Sequence, residues 1–137
     1  MNQNSSPFLA DPELIRALEE RSTPISCADD RVLFKQGEAP AGLYILRTGE
    51  ARLTMHSEEG EPVMSVETAS GSLLGLPGIT GNGAYSLTAV ARKGAELSFV
   101  TREDFLDLMR TDSTMALKVL QVLAAEVRSA RRAIAQF

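Results

Sequence analysis

The side chains able to do chemistry in this chain are few and widely separated. Cys27 is the only cysteine and His56 the only histidine. A Ser-His-Asp type of catalytic site needs a histidine held between two partners, and a structural zinc site needs several cysteine or histidine ligands. One residue of each kind supplies neither arrangement. We therefore predict no catalytic residues, no metal site and no enzymatic activity, and a single cysteine rules out a disulfide within one chain.

One glycine-rich segment contains the residue type that lets a backbone approach a phosphate group closely. Gly75, Gly78, Gly81 and Gly83 lie near one another, and amides of such a loop can form an anion-binding nest. The same glycines also suit a loop that has only structural demands. A glycine cluster alone does not distinguish these two interpretations, so both stay open at this point.

The overall charge argues against nucleic acid as a direct partner. The chain has 14 Lys and Arg against 18 Asp and Glu, a formal net charge of -4, which does not offset the repulsion of a phosphate backbone. The first residues contain acids and no continuous apolar run, so we predict neither a signal peptide nor a membrane span. These features predict a cytoplasmic protein that does not bind nucleic acid directly.

The elements that must position these residues follow from hydrophobic spacing and turn glycines. Asp11 precedes apolar residues at helical spacing, which predicts an N-terminal helix over about 11–21. Over about 31–100, short apolar runs alternate with glycine-containing separators. This pattern predicts consecutive strands in a sandwich or barrel.

The last part of the chain has helical patterns. Thr101 stands where an N-cap is expected, and residues of about 101–137 predict C-terminal helices. A chain of 137 residues suits one core. We therefore predict a single domain over 1–137.

Apolar residues of the last helix follow a four-three spacing up to the final residue. A heptad seam of this kind favours a partner helix, and a two-fold homodimer covers the seam with its own copy. A second stripe of Met115, Val119 and Val122 lies on a neighbouring face and is expected to pack on the barrel. Packing of the whole helix within one domain is the alternative. The predicted dimer interface consists of Ala116, Leu120, Leu123, Val127, Ala130, Ile134 and Phe137.

A specific resemblance is carried by RVLFKQGE at 31–38 followed by LYILRTGEARL at 43–53. These segments resemble the opening hairpin of the cyclic nucleotide-binding domain family, which includes catabolite-activator-like and fumarate-nitrate-regulator-like bacterial regulators. The resemblance implies a mainly β fold with flanking helices. It is a double-stranded β-helix, a jelly-roll-like barrel of eight strands, with a short N-terminal helix and a long C-terminal dimerisation helix. Family regulators continue into a DNA-reading helix-turn-helix, whereas this sequence stops at Phe137.

In that family, a phosphate-binding cassette holds the cyclic nucleotide. The resemblance aligns Leu76 with the glutamate that binds the ribose hydroxyl and Ser86 with the arginine that binds the phosphate. A hydroxyl does not supply the positive charge with which a bidentate arginine neutralises a phosphate. We therefore expect cyclic AMP or cyclic GMP, the ligand that the resemblance implies, to bind weakly at best. The degenerate cassette comprises Gly75, Leu76, Gly78, Tyr85, Ser86, Leu87 and Thr88.

These expectations together predict a stand-alone sensory and regulatory domain for signal transduction. Its ligand response would pass through the dimer helix to a separate effector protein. Two alternatives stay open. One is a ligand-free protein-interaction module whose cassette has decayed, and the other is a regulator that acts through a partner's DNA-binding domain.

Overall fold

The computed structural model describes residues 11–81 and 83–135, and the side chains of the last helix as far as residue 128. Within these residues the chain forms eight strands and four helices. In chain order they are α1 (Pro12–Glu19), β1 (Thr23–Ser26), β2 (Arg31–Phe34), β3 (Gly42–Thr48), β4 (Ala51–His56), β5 (Pro62–Thr68), β6 (Leu73–Leu74), α2 (Leu76–Thr80), β7 (Thr88–Ala91), β8 (Glu96–Thr101), α3 (Arg102–Thr111) and α4 (Ser113–Ala135).

The strands form two antiparallel four-stranded sheets. Their orders are β1-β8-β3-β6 and β2-β7-β4-β5, so strands distant in sequence are neighbours in each sheet. The predicted mainly β, jelly-roll-like class is confirmed. The apolar runs of the sequence do not signal strands β1 and β6, because β1 contains Pro24 and lacks an apolar run, and β6 has only two residues. Both are recognisable only through their pairing with β8 and β3.

Both helix starts predicted from capping residues are confirmed. The carboxylate of Asp11 accepts a hydrogen bond from the Glu13 amide at 2.8 Å, at the start of α1. The hydroxyl of Thr101 accepts one from the Asp104 amide at 3.1 Å, at the start of α3. Each side chain satisfies a backbone donor that the first helical turn leaves free.

The buried apolar residues form two clusters. The upper cluster lies inside the barrel and includes Phe34, Leu53, Leu74, Tyr85, Ala89 and Leu97. The lower cluster joins the helices to the underside of the barrel and includes Leu14, Leu43, Leu76, Ile79, Phe105, Leu108, Val119 and Val122. Helix α4 therefore closes the lower cluster through Val119 and Val122.

The orientation of α4 is set by its apolar stripe. Val119 and Val122 are buried in the lower cluster and Met115 packs against it, as the second stripe predicted. Leu117, Leu120 and Val127 are exposed on other faces of the helix. No helix among the described residues, α4 included, combines the length and apolarity needed to cross a membrane.

Candidate functional site

Two glycines, Gly75 immediately before α2 and Gly78 within it, leave little room for a side chain. Gly75 has a φ of +96°, in the left-handed region that favours glycine, and a Cβ there would lie 3.0 Å from Tyr85 Cε1. A Cβ on Gly78 would lie 2.8 Å from Tyr85 Cδ1. The Tyr85 ring thus occupies the space directly against both glycines. These two positions require glycine because an aromatic ring packs on the backbone.

Tyr85 is held in this space from both sides. Its ring stacks on Phe34, with centroids 3.9 Å apart and planes inclined by 15°. Its hydroxyl donates to the Gly42 carbonyl at 2.6 Å and accepts from the amides of Ala41 and Gly42, both at 3.2 Å. A buried hydroxyl with these partners is fully engaged. Tyr85 therefore fills the loop as a structural side chain.

A small inner cavity remains beside the Tyr85 ring. Its volume is about 10 Å³, which is room for about one water molecule. The lining residues are Phe34, Leu53, Leu74, Gly75, Pro77, Gly78, Tyr85, Ser86, Leu87 and Glu126. The part of the pocket nearest to the glycines is therefore closed to any nucleotide in this conformation.

An outer groove of about 190 Å³ lies between the barrel and α4. It shares Pro77, Ser86, Leu87 and Glu126 with the inner cavity. Its other walls are Met55 on β4, Met64 on β5, and Leu123 and Val127 on α4. The groove is thus an apolar space with a carboxyl group and a hydroxyl group at its inner end.

Glu126 is the side chain that the sequence-based prediction missed. It is only 7% exposed, and its Oε2 is buried without a hydrogen-bond partner in the described part of the chain. Burial raises the pKa of the Glu126 carboxyl from 4.5 to about 8, because removal from water penalises the charged form. At neutral pH most molecules therefore carry a protonated Glu126.

Among the described residues, no side chain of opposite charge lines the two cavities beside this carboxyl. The described residues that line the two cavities on β2, β4, β5, β6, α2, α4 and the 85–87 segment include no Lys, Arg or His. Tyr85 is the other titratable side chain among them, and its hydroxyl is bonded to Gly42. Within the part of the chain that the structure describes, the buried Glu126 carboxyl thus has no cation beside it in either cavity.

Five of the seven predicted cassette residues line the cavities. Gly75, Gly78, Tyr85, Ser86 and Leu87 meet there. Leu76 is fully buried in the lower cluster and lines neither cavity. Thr88 also lines neither cavity, and its hydroxyl accepts a hydrogen bond from the Gln36 backbone amide at 2.9 Å.

A signal for Glu126 was present in the sequence. Met115, Val119, Val122 and Glu126 follow one another at spacings of four, three and four, so Glu126 continues the stripe that packs on the barrel. A carboxylate on a buried stripe is costly and therefore marks a position with a special environment. Extending the stripe by one step would have identified it.

The predicted dimer seam has a mixed environment. Leu120 and Val127 are 61% and 51% exposed, whereas Ala116 and Leu123 are half-buried against the chain itself. The side chains of Ala130 and Ile134 and the whole of Phe137 lie outside the described residues. The described half of the seam therefore leaves two large apolar side chains in solvent.

The two reactive residue types of the sequence lie apart from the groove. Cys27 is buried in the upper cluster, and burial raises the pKa of its thiol. His56 is exposed at the end of β4, where its backbone exchanges hydrogen bonds with the Gln36 side chain at 2.8 and 2.9 Å. Neither lines the inner cavity or the outer groove.

Comparisons with known proteins agree on one family. A family model described as cyclic nucleotide-binding domain matches residues 24–112. The cyclic AMP receptor protein of Thermus thermophilus is 31% identical over 98 residues, which are 72% of this chain and 45% of that protein. The matched range of the family model ends before α4, so Glu126 lies outside it.

Solved structures share the fold. The Thermus thermophilus catabolite activator protein has a TM-score of 0.75 at 26% identity, covering 92% of this chain and 60% of that one. CLP, a c-di-GMP-responsive global regulator of Xanthomonas campestris, has a TM-score of 0.75 at 16% identity, covering 92% and 62%. The second likeness shows the fold alone. The chain thus spans about half of the curated relative and about three fifths of these two structures.

Proposed function

The chain belongs to the cyclic nucleotide-binding domain family, and from this premise we propose that it is a ligand-sensing regulatory domain whose groove between the barrel and α4 has lost its preference for cyclic nucleotides. The observation that carries the proposal is the filled glycine loop beside an apolar groove that contains Glu126. The chain keeps the fold of a sensory domain, whereas the side chains that line its groove suit a ligand other than a cyclic nucleotide.

Three features disfavour a cyclic phosphate. The Tyr85 ring occupies the space against Gly75 and Gly78. Ser86 supplies no positive charge at the inner end of the groove. The Glu126 carboxyl lines the same two cavities, and its ionised fraction, which grows as the pH approaches 8, repels a phosphate. Each feature weakens binding of an anion by its own mechanism.

Helix α4 supports the regulatory part of the proposal. Leu123, Glu126 and Val127 form one wall of the groove, and Leu123 and Val127 also belong to the predicted dimer seam. A molecule in the groove would therefore contact the helix that we propose to join two copies of the chain. Such contacts can favour one arrangement of the helix over another, which is the requirement for a ligand response.

The relatives' names support a regulatory role. They describe a receptor protein and an activator protein. We propose that this chain regulates through a separate effector protein or through a partner's DNA-binding domain, and that it has no enzymatic activity.

Titration calorimetry with cyclic AMP and cyclic GMP tests the ligand part of the proposal. We expect dissociation constants weaker than about 100 μM, because the described residues that line the cavities include no cation for the phosphate. Adenosine 5′-monophosphate is the control for general nucleotide binding, and it should bind as weakly as the cyclic nucleotides do. Micromolar or tighter binding of either cyclic nucleotide would contradict the proposal.

Sedimentation velocity tests the dimer. Leu120→Glu places a charge on an apolar side chain that is 61% exposed, and we expect it to convert a wild-type dimer to a monomer. Val32→Glu is the matched control, since Val32 is 51% exposed on β2, away from α4, and should stay dimeric. A monomeric wild type would refute the dimer.

The ligand-free interaction module is the second candidate, and the closed inner cavity of about 10 Å³ favours it. In that case the side chains of the chain itself have replaced the ligand. A thermal-shift panel without any responder, together with capture of one specific partner through the exposed face of α4, would support this alternative.

A further inference from the structure

The wall formed by α4 brings one ionisable group to an otherwise apolar groove. Glu126 on α4 and Ser86 in the segment before β7 each line both the inner cavity and the outer groove. Its Oε2 is buried and has no partner among the described residues. When Glu126 is ionised, this oxygen can accept hydrogen bonds that no described residue donates. The groove therefore contains an unused acceptor.

A purely structural role does not explain this acceptor. The preceding residues of the same stripe, Val119 and Val122, are apolar and equally buried. Replacing a buried apolar side chain by an unpaired carboxyl removes stability, because the group loses its hydration without gaining a partner. The position is thus more costly with Glu than with an aliphatic residue, unless something that enters the groove pairs with it.

We propose that Glu126 is the recognition group of this groove and that the groove binds a small apolar molecule carrying one protonated amino group. This inference rests on the proposed sensory function and names the ligand class of that site. The ammonium group donates hydrogen bonds to the Glu126 carboxylate. The apolar part of the molecule contacts Met55, Met64, Leu87, Leu123 and Val127.

The size and lining of the groove suit such a molecule. Apolar cavities of about 150 Å³ accept a benzene-sized molecule, and this groove measures about 190 Å³. Methionine side chains adapt to the shape of an apolar ligand. A single aromatic ring with a short aminoalkyl substituent therefore matches both the volume and the position of the charge.

The raised pKa of Glu126, about 8, gives the interaction a distinctive signature. A bound ammonium group favours the ionised carboxylate. Below pH 8, binding must then release the proton that Glu126 carries in the free protein. Tyr85 is the other titratable side chain that lines the cavities, and its hydroxyl is engaged at Gly42.

A set of three probes of similar shape tests the charge preference. Benzylamine, benzyl alcohol and benzoate are titrated into the full chain at pH 8 by calorimetry. We expect benzylamine to bind at least about tenfold more tightly than benzyl alcohol, and benzoate to bind more weakly than both. Absence of benzylamine binding, or equal affinity of the three probes, would overturn the proposal.

The pH dependence separates the proposed ion pair from a hydrogen bond donated by neutral Glu126. For benzylamine, the affinity should rise about tenfold between pH 6 and pH 7 and level off as the pH approaches 8, where the amine is still protonated. A carboxyl group that donates its proton to a neutral acceptor would give an affinity that falls over the same range. A flat or falling benzylamine profile would overturn the proposal.

Two variants test the residue itself. Glu126→Gln keeps the shape but not the charge, and it should lose at least about tenfold in benzylamine affinity together with the pH dependence. Ser86→Arg introduces a cation at a position that lines the same two cavities as the carboxyl, and it should also block benzylamine. Glu103→Gln, at an exposed position on α3, is the matched control and should bind as the wild type does. Unchanged binding by Glu126→Gln would refute the assignment.

The outcomes distinguish this inference from the proposed function. A chain that dimerises, rejects cyclic nucleotides and responds to another ligand but not to benzylamine would retain the proposed function and lose this ligand class. A chain that binds cyclic AMP at micromolar concentration would lose the proposed function, whatever benzylamine does. Circular dichroism of each variant verifies that the fold is intact before either conclusion is drawn.

Discussion

Two successive turns of α4 present different side chains to the barrel at the same depth. Val122 is 6% exposed and Glu126 is 7% exposed, and they lie four residues apart on one stripe. Val122 packs in the lower cluster among other apolar residues. Glu126 borders two cavities and has an unpartnered carboxyl oxygen.

The difference between these turns separates the part of the helix that holds the fold together from the part that we assign to ligand recognition. At Val122, burial removes apolar surface from water and stabilises the packing of α4 on the barrel. At Glu126, burial opposes ionisation and raises the pKa of the carboxyl. The same helix face therefore contributes stability at one turn and a chemically available group at the next.

The largest effect on stability is expected when the turn at Val122 receives a carboxyl group like that of Glu126. Val122→Glu places a carboxylate in a closed apolar cluster, and we expect it to lower the free energy of unfolding by about 3–5 kcal/mol at pH 7. Val122→Ala, which only removes methyl groups, should cost about 1–2 kcal/mol. Urea denaturation measures both, and equal losses would show that the two turns do not differ in this way.

The reverse change, removal of the carboxyl group at Glu126, should remove a pH dependence of the free energy of unfolding. The folded pKa of Glu126 is about 8 and the unfolded value is 4.5, so the folded state binds more protons between these values. The contribution of this group to stability is complete below pH 4.5 and is lost as the pH rises to 8, by up to about 1.4 kcal/mol per pH unit.

Glu126→Gln lacks this contribution, so its stability relative to the wild type should increase from pH 5 to pH 8. Urea denaturation at four pH values measures the difference, and Glu103→Gln should track the wild type throughout. Parallel curves for the wild type and Glu126→Gln would mean that the carboxyl titrates normally in the folded chain.

A smaller effect is expected on the side of the groove that the chain fills by itself. Tyr85→Phe keeps the ring that packs on Gly75 and Gly78 but removes the hydroxyl that bonds to Gly42. We expect a loss of about 1–3 kcal/mol, because buried backbone groups lose a partner. Tyr44→Phe is the control, since its hydroxyl has a longer bond of 3.4 Å to Leu33, and thermal denaturation should show a smaller loss.

Much of the fold follows from local patterns. Gly37, Gly49, Gly60 and Gly94 separate the strands and all have a positive φ, which the sequence signals because glycine adopts this conformation without strain. Asp11 and Thr101 start their helices through contacts with residues two and three positions away. The heptad spacing of α4 also depends only on neighbouring turns. These features act within a few residues and are therefore visible in the sequence.

The candidate site is less predictable, because it depends on contacts between distant residues. Aligning the cassette with the family identified Ser86 as a wall of the groove, but it did not reveal that Leu76 packs in the lower cluster. The match of Gly75 and Gly78 to a phosphate-binding loop also did not reveal that the Tyr85 ring lies against them. The side-chain direction at each position depends on which strand or helix passes nearby.

The sequence by itself thus determined the family, the barrel and the helices, since turn conformation, capping and hydrophobic period are short-range properties. The tertiary structure alone decided that the glycine loop is filled by Tyr85 and that Glu126 faces a groove. The physical reason is that the rotation of α4 on the barrel is set by packing of its lower half. That packing directs the carboxyl of the next turn into a space formed by residues far away in the chain.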